Sequence, residues 1–220
     1  MSDGIDCRTL IHMLKKAAGR VRDNQTVLSR LDSFGGDGDH GTTMARAVGQ
    51  IEKVILAAEE GTESVTTSAF LRDVGWAVMG IDGGATGPLF GSFFTAMGDY
   101  LDGTEQETLD VEQLAATFRA GLEGVQKYTK ARVGDKTMID ALDPAVRAIA
   151  FTAEAGGDAR DAILIAADAA ERGAVSTKDM QARFGRARNM GPKSVGNEDP
   201  GAASVALFFR GFADGVKNDG

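Results

Sequence analysis

Apolar residues recur along this chain at spacings of three, four and seven, the period of a buried helix face. Leu10, Leu14, Ala17, Val21, Leu28 and Leu31 make the first such stripe, and Met44, Val48, Ile51 and Ile55 the second. Phe70, Leu71, Val74 and Val78 predict a third helix, and Leu89, Phe90, Phe93, Phe94 and Met97 a fourth. The fifth runs from Val111 through Leu114, Phe118, Leu122 and Val125, with Asp110 and Gln113 at capping-box spacing. Leu142, Val146, Ile149 and Ala153 predict a sixth, the Ala-rich stretch 158–172 a seventh, and Val205, Phe208, Phe209, Phe212 and Val216 an eighth. Asp143-Pro144 and Asp199-Pro200 each read as a capping carboxylate before proline at the first helical position, and Gly87-Pro88 as the same with a permissive cap. No stretch alternates strictly between hairpin turns, so no sheet is predicted. With no repeat or linker, the expectation is one all-α domain of about eight helices over residues 1–220.

Composition narrows the setting. At 220 residues the chain can bury a core without staples, and 43% hydrophobic against 25% charged residues is a globular balance. The lone Cys7 fits a reducing cytoplasm, and neither a signal peptide nor an apolar run of membrane-spanning length is present. A net charge of −8 argues against an open nucleic-acid surface. It leaves open a phosphorylated ligand bridged by divalent metal. Glycine is the outlier, 29 of 220 residues, grouped in loops between the periodic segments. Grouped glycine brings backbone close to something.

The first glycine loop, Leu31 to Thr43, interleaves Asp32, Asp37 and Asp39 with glycines. Three carboxylates so close repel one another unless a cation lies between them, and all-oxygen donors suit magnesium or calcium. The alternative is a solvated acidic turn. Gly38 between two aspartates favours the metal, since a side chain there would crowd the ion. His40 beside them can orient a carboxylate, bond a phosphate or carry a phosphoryl group. Gly36 to Gly41 matches a dinucleotide fingerprint literally, but no strand precedes it. An EF-hand starting at Asp37 would have Gly41 and Val48 where ligands belong.

The second loop, Gly83 to Pro88, feeds a helix whose N-terminal N–H groups can meet an anion, or is simply a tight corner. The third, Gly134-Asp135-Lys136-Thr137-Met138, lacks the glycine that a Walker A loop needs directly before lysine. Met138 can pack on a base or belong to the core. In the fourth, Gly185 to Gly201, Arg186 or Arg188 can pair with phosphate or face solvent.

Four segments, LDSFGGDGDHGTTM, GGATGPLFGSFF, GDKTM and GRARNMGPKSVGNEDPGAASV, together resemble the nucleotide-binding L subunit of dihydroxyacetone kinase, the DhaL family, in order and spacing over essentially the whole chain. The resemblance implies an antiparallel eight-helix barrel with the nucleotide, ADP or ATP, in loops at one end. It implies two Mg2+ ions on Asp32, Asp37 and Asp39. The implied nucleotide contacts are His40, Gly41, Thr42, Thr43, Ala85, Thr86, Thr129, Met138, Arg186, Asp199, Pro200 and Gly201, with Arg186 stabilising the moving phosphoryl group. The implied activity is phosphoryl transfer to dihydroxyacetone, or a related ketose such as erythrulose, held by a separate K subunit. Either ATP exchanges as substrate, or ADP stays bound and is rephosphorylated by a phosphotransferase-system protein. The rival readings are a nucleotide-loaded sensor docking on a transcription regulator and a metal-dependent phosphatase. Neither nucleic acid nor membrane is expected as a partner.

Overall fold

The computed structural model describes residues 4–61, 65–104 and 108–217. Its helices are α1 (Cys7–Asp23), α2 (Gln25–Asp32), α3 (His40–Glu60), α4 (Thr67–Met79), α5 (Thr86–Tyr100), α6 (Val111–Gln126), α7 (Ile139–Glu154), α8 (Ala159–Ser176) and α9 (Pro200–Val216). Two 3-10 segments follow α8, Thr177–Asp179 and Arg186–Ser194, the second kinked at Gly191, and a two-residue antiparallel pairing joins Ile5–Asp6 to Thr108–Leu109. Among the described residues no helix is long and apolar enough to cross a membrane.

The eight long helices close into a ring in the order α1, α3, α4, α5, α6, α7, α8, α9 and back to α1, with α2 packed outside it on α3 and α9. Neighbours run antiparallel. Lys15 pairs with Glu59 and Arg22 with Glu52, so α1 and α3 oppose each other. Arg210 pairs with Asp168 while Arg160 reaches Val216 O, which opposes α8 and α9. Strict alternation around an even ring has one consequence that matters for chemistry. The N-termini of α3, α5, α7 and α9 all face the same end, and the long connections 24–39, 80–85, 127–138 and 177–199 lie there too.

Inside the ring, phenylalanines from α5, α6 and α9 fill the axis. Phe90 and Phe208 lie 5.4 Å apart, Phe118 and Phe209 5.7 Å, and Phe93 and Phe118 5.9 Å, mostly tilted or edge-on. Each such ring is fully or nearly buried and contributes on the order of 2–3 kcal/mol of transfer free energy. The barrel is therefore a packed core, and the ligand space is at its mouth.

Three expectations change. The stripe from Leu10 to Leu31 is two helices, because Asn24 Nδ2 takes the Arg20 carbonyl at 2.8 Å and competes with the backbone ladder. Pro144 sits inside α7 and not at its start; Asp143 instead pairs with Arg147, and the carboxylate that binds the opening turn is Asp140, accepting from Thr137 N at 2.7 Å. At Gly87-Pro88 the N-cap is Ala85, and Pro88 falls in the first turn, where no intrahelical N–H is needed. Asp199-Pro200 and the Asp110–Gln113 capping box form as expected. Glycine is also not confined to loops. A Cβ on Gly121 would stand 2.7 Å from Phe93 of α5, and one on Gly98 2.7 Å from Ser68 O of α4, so these glycines let helices approach.

Candidate functional site

The mouth of the barrel holds a cavity of about 390 Å³, lined from all four long connections and from the four helix N-termini gathered there. Each terminus carries about half a positive charge, and Asp199 already takes one of the free N–H groups at α9. Such convergence favours a polyanion.

The acidic loop enters this cavity from the end of α2. Carboxylate oxygens of Asp32, Asp37 and Asp39 all lie within 4.8 Å of one another, Asp32 half-buried and the other two exposed. Asp32 is fixed by its own loop, its Oδ2 accepting from Gly38 N at 2.9 Å. Asp39 stands at the N-cap of α3, yet its carboxylate makes no cap bond and stays with the cluster. Gly36 is the crowded glycine here: a Cβ would press on the Asp32 carboxyl group. Gly38 is needed for another reason than the one anticipated. Its φ of +77° is left-handed, and a Cβ would lie 2.5 Å from Ser33 Oγ. The donor set fits a hard divalent cation: three carboxylates, no sulfur or imidazole in the cluster, and one open side toward the cavity.

Arg186 comes from the 177–199 connection and forms an ion pair with Asp37. Its hydrogen bond holds the Asp37 carboxyl below the usual range, and Asp37 in turn holds the guanidinium above its own. Arg188, the other candidate, is exposed and does not line the cavity. His40 opens α3 with its Nε2 2.8 Å from Ser204 Oγ on α9, and Ser204 Oγ donates to Pro200 O at 3.0 Å. With the serine proton committed to Pro200, Nε2 carries the hydrogen and donates to Ser204. Burial lowers the imidazole pKa, consistent with a neutral ring.

Of the remaining candidates, Thr43, Ala85, Thr86, Thr129, Met138, Asp199, Pro200 and Gly201 line the same cavity. Gly41 and Thr42 do not: Gly41 is buried against α2 and Thr42 is exposed on the first turn of α3. Met138 is 6% exposed and belongs to both the core and the cavity wall. Asp199 caps α9 by accepting from Ala202 N at 2.8 Å, and burial pushes its carboxyl up to about 7.

Three polar residues escaped the sequence reading. Lys136 is 5% exposed, lines the cavity and donates from Nζ to Thr177 O and Asn197 O. Asp140 and Ser204 are buried partners of the loops. The signal for Ser204 was faint, a serine one turn after the Pro200 cap. Lys136 was visible in its motif, but nothing local showed that it is buried.

The DAK2 domain profile matches residues 35–214. The chain belongs to the DAK2 domain family. It is 39% identical over 190 residues to the "PEP-dependent dihydroxyacetone kinase 1, ADP-binding subunit DhaL" of Listeria innocua, covering 86% of this chain and 87% of that one. It is 34% identical over 209 residues to the corresponding PEP-dependent DhaL subunit of Escherichia coli, covering 94% and 96%. Among solved structures, the dihydroxyacetone kinase from C. freundii in complex with AMP-PNP and Mg2+ superposes with a TM-score of 0.69 at 28% identity, covering 93% of this chain. The chain spans about a third, 34%, of the C. freundii kinase in its native form, where the TM-score is 0.70 and the identity 26%. The all-α barrel and the resemblance to DhaL subunits are thereby borne out.

Proposed function

We propose that residues 1–220 act as one nucleotide-binding domain, the ADP-binding subunit of a dihydroxyacetone kinase. The observation that carries the reading is the convergence of an all-carboxylate cluster, an arginine and four helix N-termini on one cavity. Asp32, Asp37 and Asp39 would hold Mg2+, two ions in this reading. Bound there, magnesium would neutralise phosphate charge and align the phosphoryl group for in-line displacement.

The chain's own residues supply positioning. His40 and Thr43 would bring the α3 terminus to the phosphates, with Gly41 and Thr42 completing its first turn behind them, as Ala85 and Thr86 would at α5. At α9 the Gly201 N–H would do so, with Asp199 and Pro200 shaping the turn that brings it to the cavity. Met138 and Thr129 would flank the nucleoside. Arg186 would follow the developing charge on the phosphoryl group and so act catalytically. The acceptor, dihydroxyacetone, would be presented by a K-type subunit docked over the barrel mouth. Relatives covered at 87% and 96% of their length are named PEP-dependent, which supports ADP as a retained coenzyme, recharged by a phosphotransferase-system protein.

The test is to denature the purified chain and identify the nucleotide it releases, before and after incubation with excess ATP and magnesium. ADP that co-purifies and resists exchange is the expected result. Freely exchanging nucleotide would instead make it a subunit of an ATP-dependent kinase. Failure to bind nucleotide at all would overturn the reading.

A further inference from the structure

Lys136 is the one non-glycine residue among the described residues with a left-handed backbone, at φ +59°. It is also a lysine 5% exposed, a position lysine rarely occupies without partners. Both its observed hydrogen bonds go to main-chain carbonyls of distant segments, Thr177 O at the end of α8 and Asn197 O just before α9, each at 2.5 Å. Neighbouring bonds complete the tie: Asp199 N donates to Thr177 Oγ1 at 2.8 Å and Gly196 N to Lys178 O at 2.8 Å. One ammonium thus joins the Lys136 and Asn197 segments, which line the cavity, to the end of α8, and none of the three carries an aspartate of the metal cluster.

A strained backbone and a buried cation persist only where the surroundings over-determine them, and such outliers gather at functional sites. A carbonyl pair at a chain reversal could have been satisfied by water at the cavity edge. Here it is held by a side chain that spans the gap. The turn so pinned presents Met138, which packs on the start of α9 and would meet Gly201 if that residue carried a Cβ, at 3.4 Å.

We propose that Lys136 is a positioning residue for the nucleoside half of the ligand. It fixes the wall formed by Met138 and the Asn197–Gly201 turn, while the phosphate half depends on the aspartates. This deepens the nucleotide reading above and rests on it.

The experiment is calorimetric titration of the full chain, first stripped of any bound nucleotide by chelating magnesium and dialysis, with ADP and, separately, with pyrophosphate, both with magnesium restored. It compares the unaltered chain with Lys136→Met and with Lys136→Gly, which removes the ammonium while relieving the left-handed strain. The expected result is an ADP affinity lowered by about tenfold or more, with pyrophosphate affinity within about twofold of the unaltered chain. Amide exchange at Gly196 and Asp199 should quicken in both variants. Unchanged ADP affinity overturns the proposal and leaves the nucleotide reading standing. An equal loss for ADP and pyrophosphate, or loss of helical circular dichroism in both variants, overturns it in favour of a general structural role. No ADP binding by the unaltered chain overturns the nucleotide reading itself, and the proposal with it.

Discussion

The guanidinium of Arg186 rests on the carboxylate of Asp37, so the connection before α9 is tied across the barrel mouth to the loop before α3. Both groups are substantially exposed, at 63% and 47%, so the pair adds little to stability. Its value is placement. A cation that already rests on one aspartate of the cluster is within reach of whatever that cluster holds.

Arg186→Ala therefore should leave nucleotide affinity nearly intact and slow phosphoryl transfer on the order of 100-fold, the usual scale for removing one charge-stabilising donor. Transfer rates measured with a K subunit, beside ADP titration, separate the two effects. An equal loss in both would reduce Arg186 to a binding residue. Asp37→Asn and Asp39→Asn should each abolish magnesium-dependent nucleotide retention while the helical circular dichroism stays unchanged. Retention in both would remove the metal assignment.

Much of this was legible in the sequence because helix-period stripes and capping residues are local signals. The Asp110–Gln113 box and the Asp199-Pro200 start formed as read. The acidic loop was also legible, since its three aspartates lie within eight residues of one another. What was not legible depends on ring closure. Nothing near Lys136 in sequence reveals that Thr177 O and Asn197 O will surround its ammonium. Nor does the local pattern place four helix N-termini at one end; that follows only from antiparallel alternation around a closed ring. Pro144 misled because Asp-Pro is a helix-start signal, whereas here Asp140 had already opened the helix one turn earlier.

Close helix approach gives a sharp contrast between two glycines. A Cβ on Gly211 would stand 2.9 Å from Ala17 Cβ and nearer still to its backbone, while one on Gly49 meets nothing within 4 Å. Both lie within helices, where alanine is intrinsically better by about 1 kcal/mol. Gly49→Ala should raise stability by up to about that much. Gly211→Ala should lower it by about 1–3 kcal/mol, since α1 and α9 must separate. Urea denaturation of the two variants checks both signs.

Asp199 makes stability depend on pH in the direction opposite to an ion-paired carboxylate. Its carboxyl is pushed up to about 7 by burial, against 3.8 as the ordinary value. Between these values the folded chain holds a proton that the unfolded chain releases. Raising pH through that window thus favours unfolding. The group's contribution is fully present below about pH 4 and is lost by about pH 7. The full displacement corresponds to about 4 kcal/mol, and residual surface on the cavity reduces the expected loss to about 2 kcal/mol. Asp199→Asn keeps an acceptor for Ala202 N and removes the titration. The stability difference between the unaltered chain and this variant should fall from pH 4 to 7; a flat difference would mean that Asp199 ionises as easily folded as unfolded.

Ser204 connects α9 to the first residue of α3 through His40, so its hydroxyl bears on how the α3 terminus faces the cavity. Ser204→Ala removes the acceptor 2.8 Å from Nε2 and leaves the imidazole the Pro200 carbonyl as its remaining partner. The lost hydrogen bond costs about 0.5–1.5 kcal/mol. For a chain of this size that is a fall of roughly 1–6 °C in Tm. Reliance on the Pro200 carbonyl alone moves the His40 ring at the first residue of α3, on the wall of the cavity. Ser204→Ala should therefore weaken magnesium-dependent ADP binding as well, while Ser204→Thr, which keeps the hydroxyl, should preserve it. Tm and ADP affinity measured on both variants decide the matter. A lowered Tm with unaltered ADP affinity in Ser204→Ala would make the His40–Ser204 bond a fastening of the barrel alone, with no bearing on the ligand.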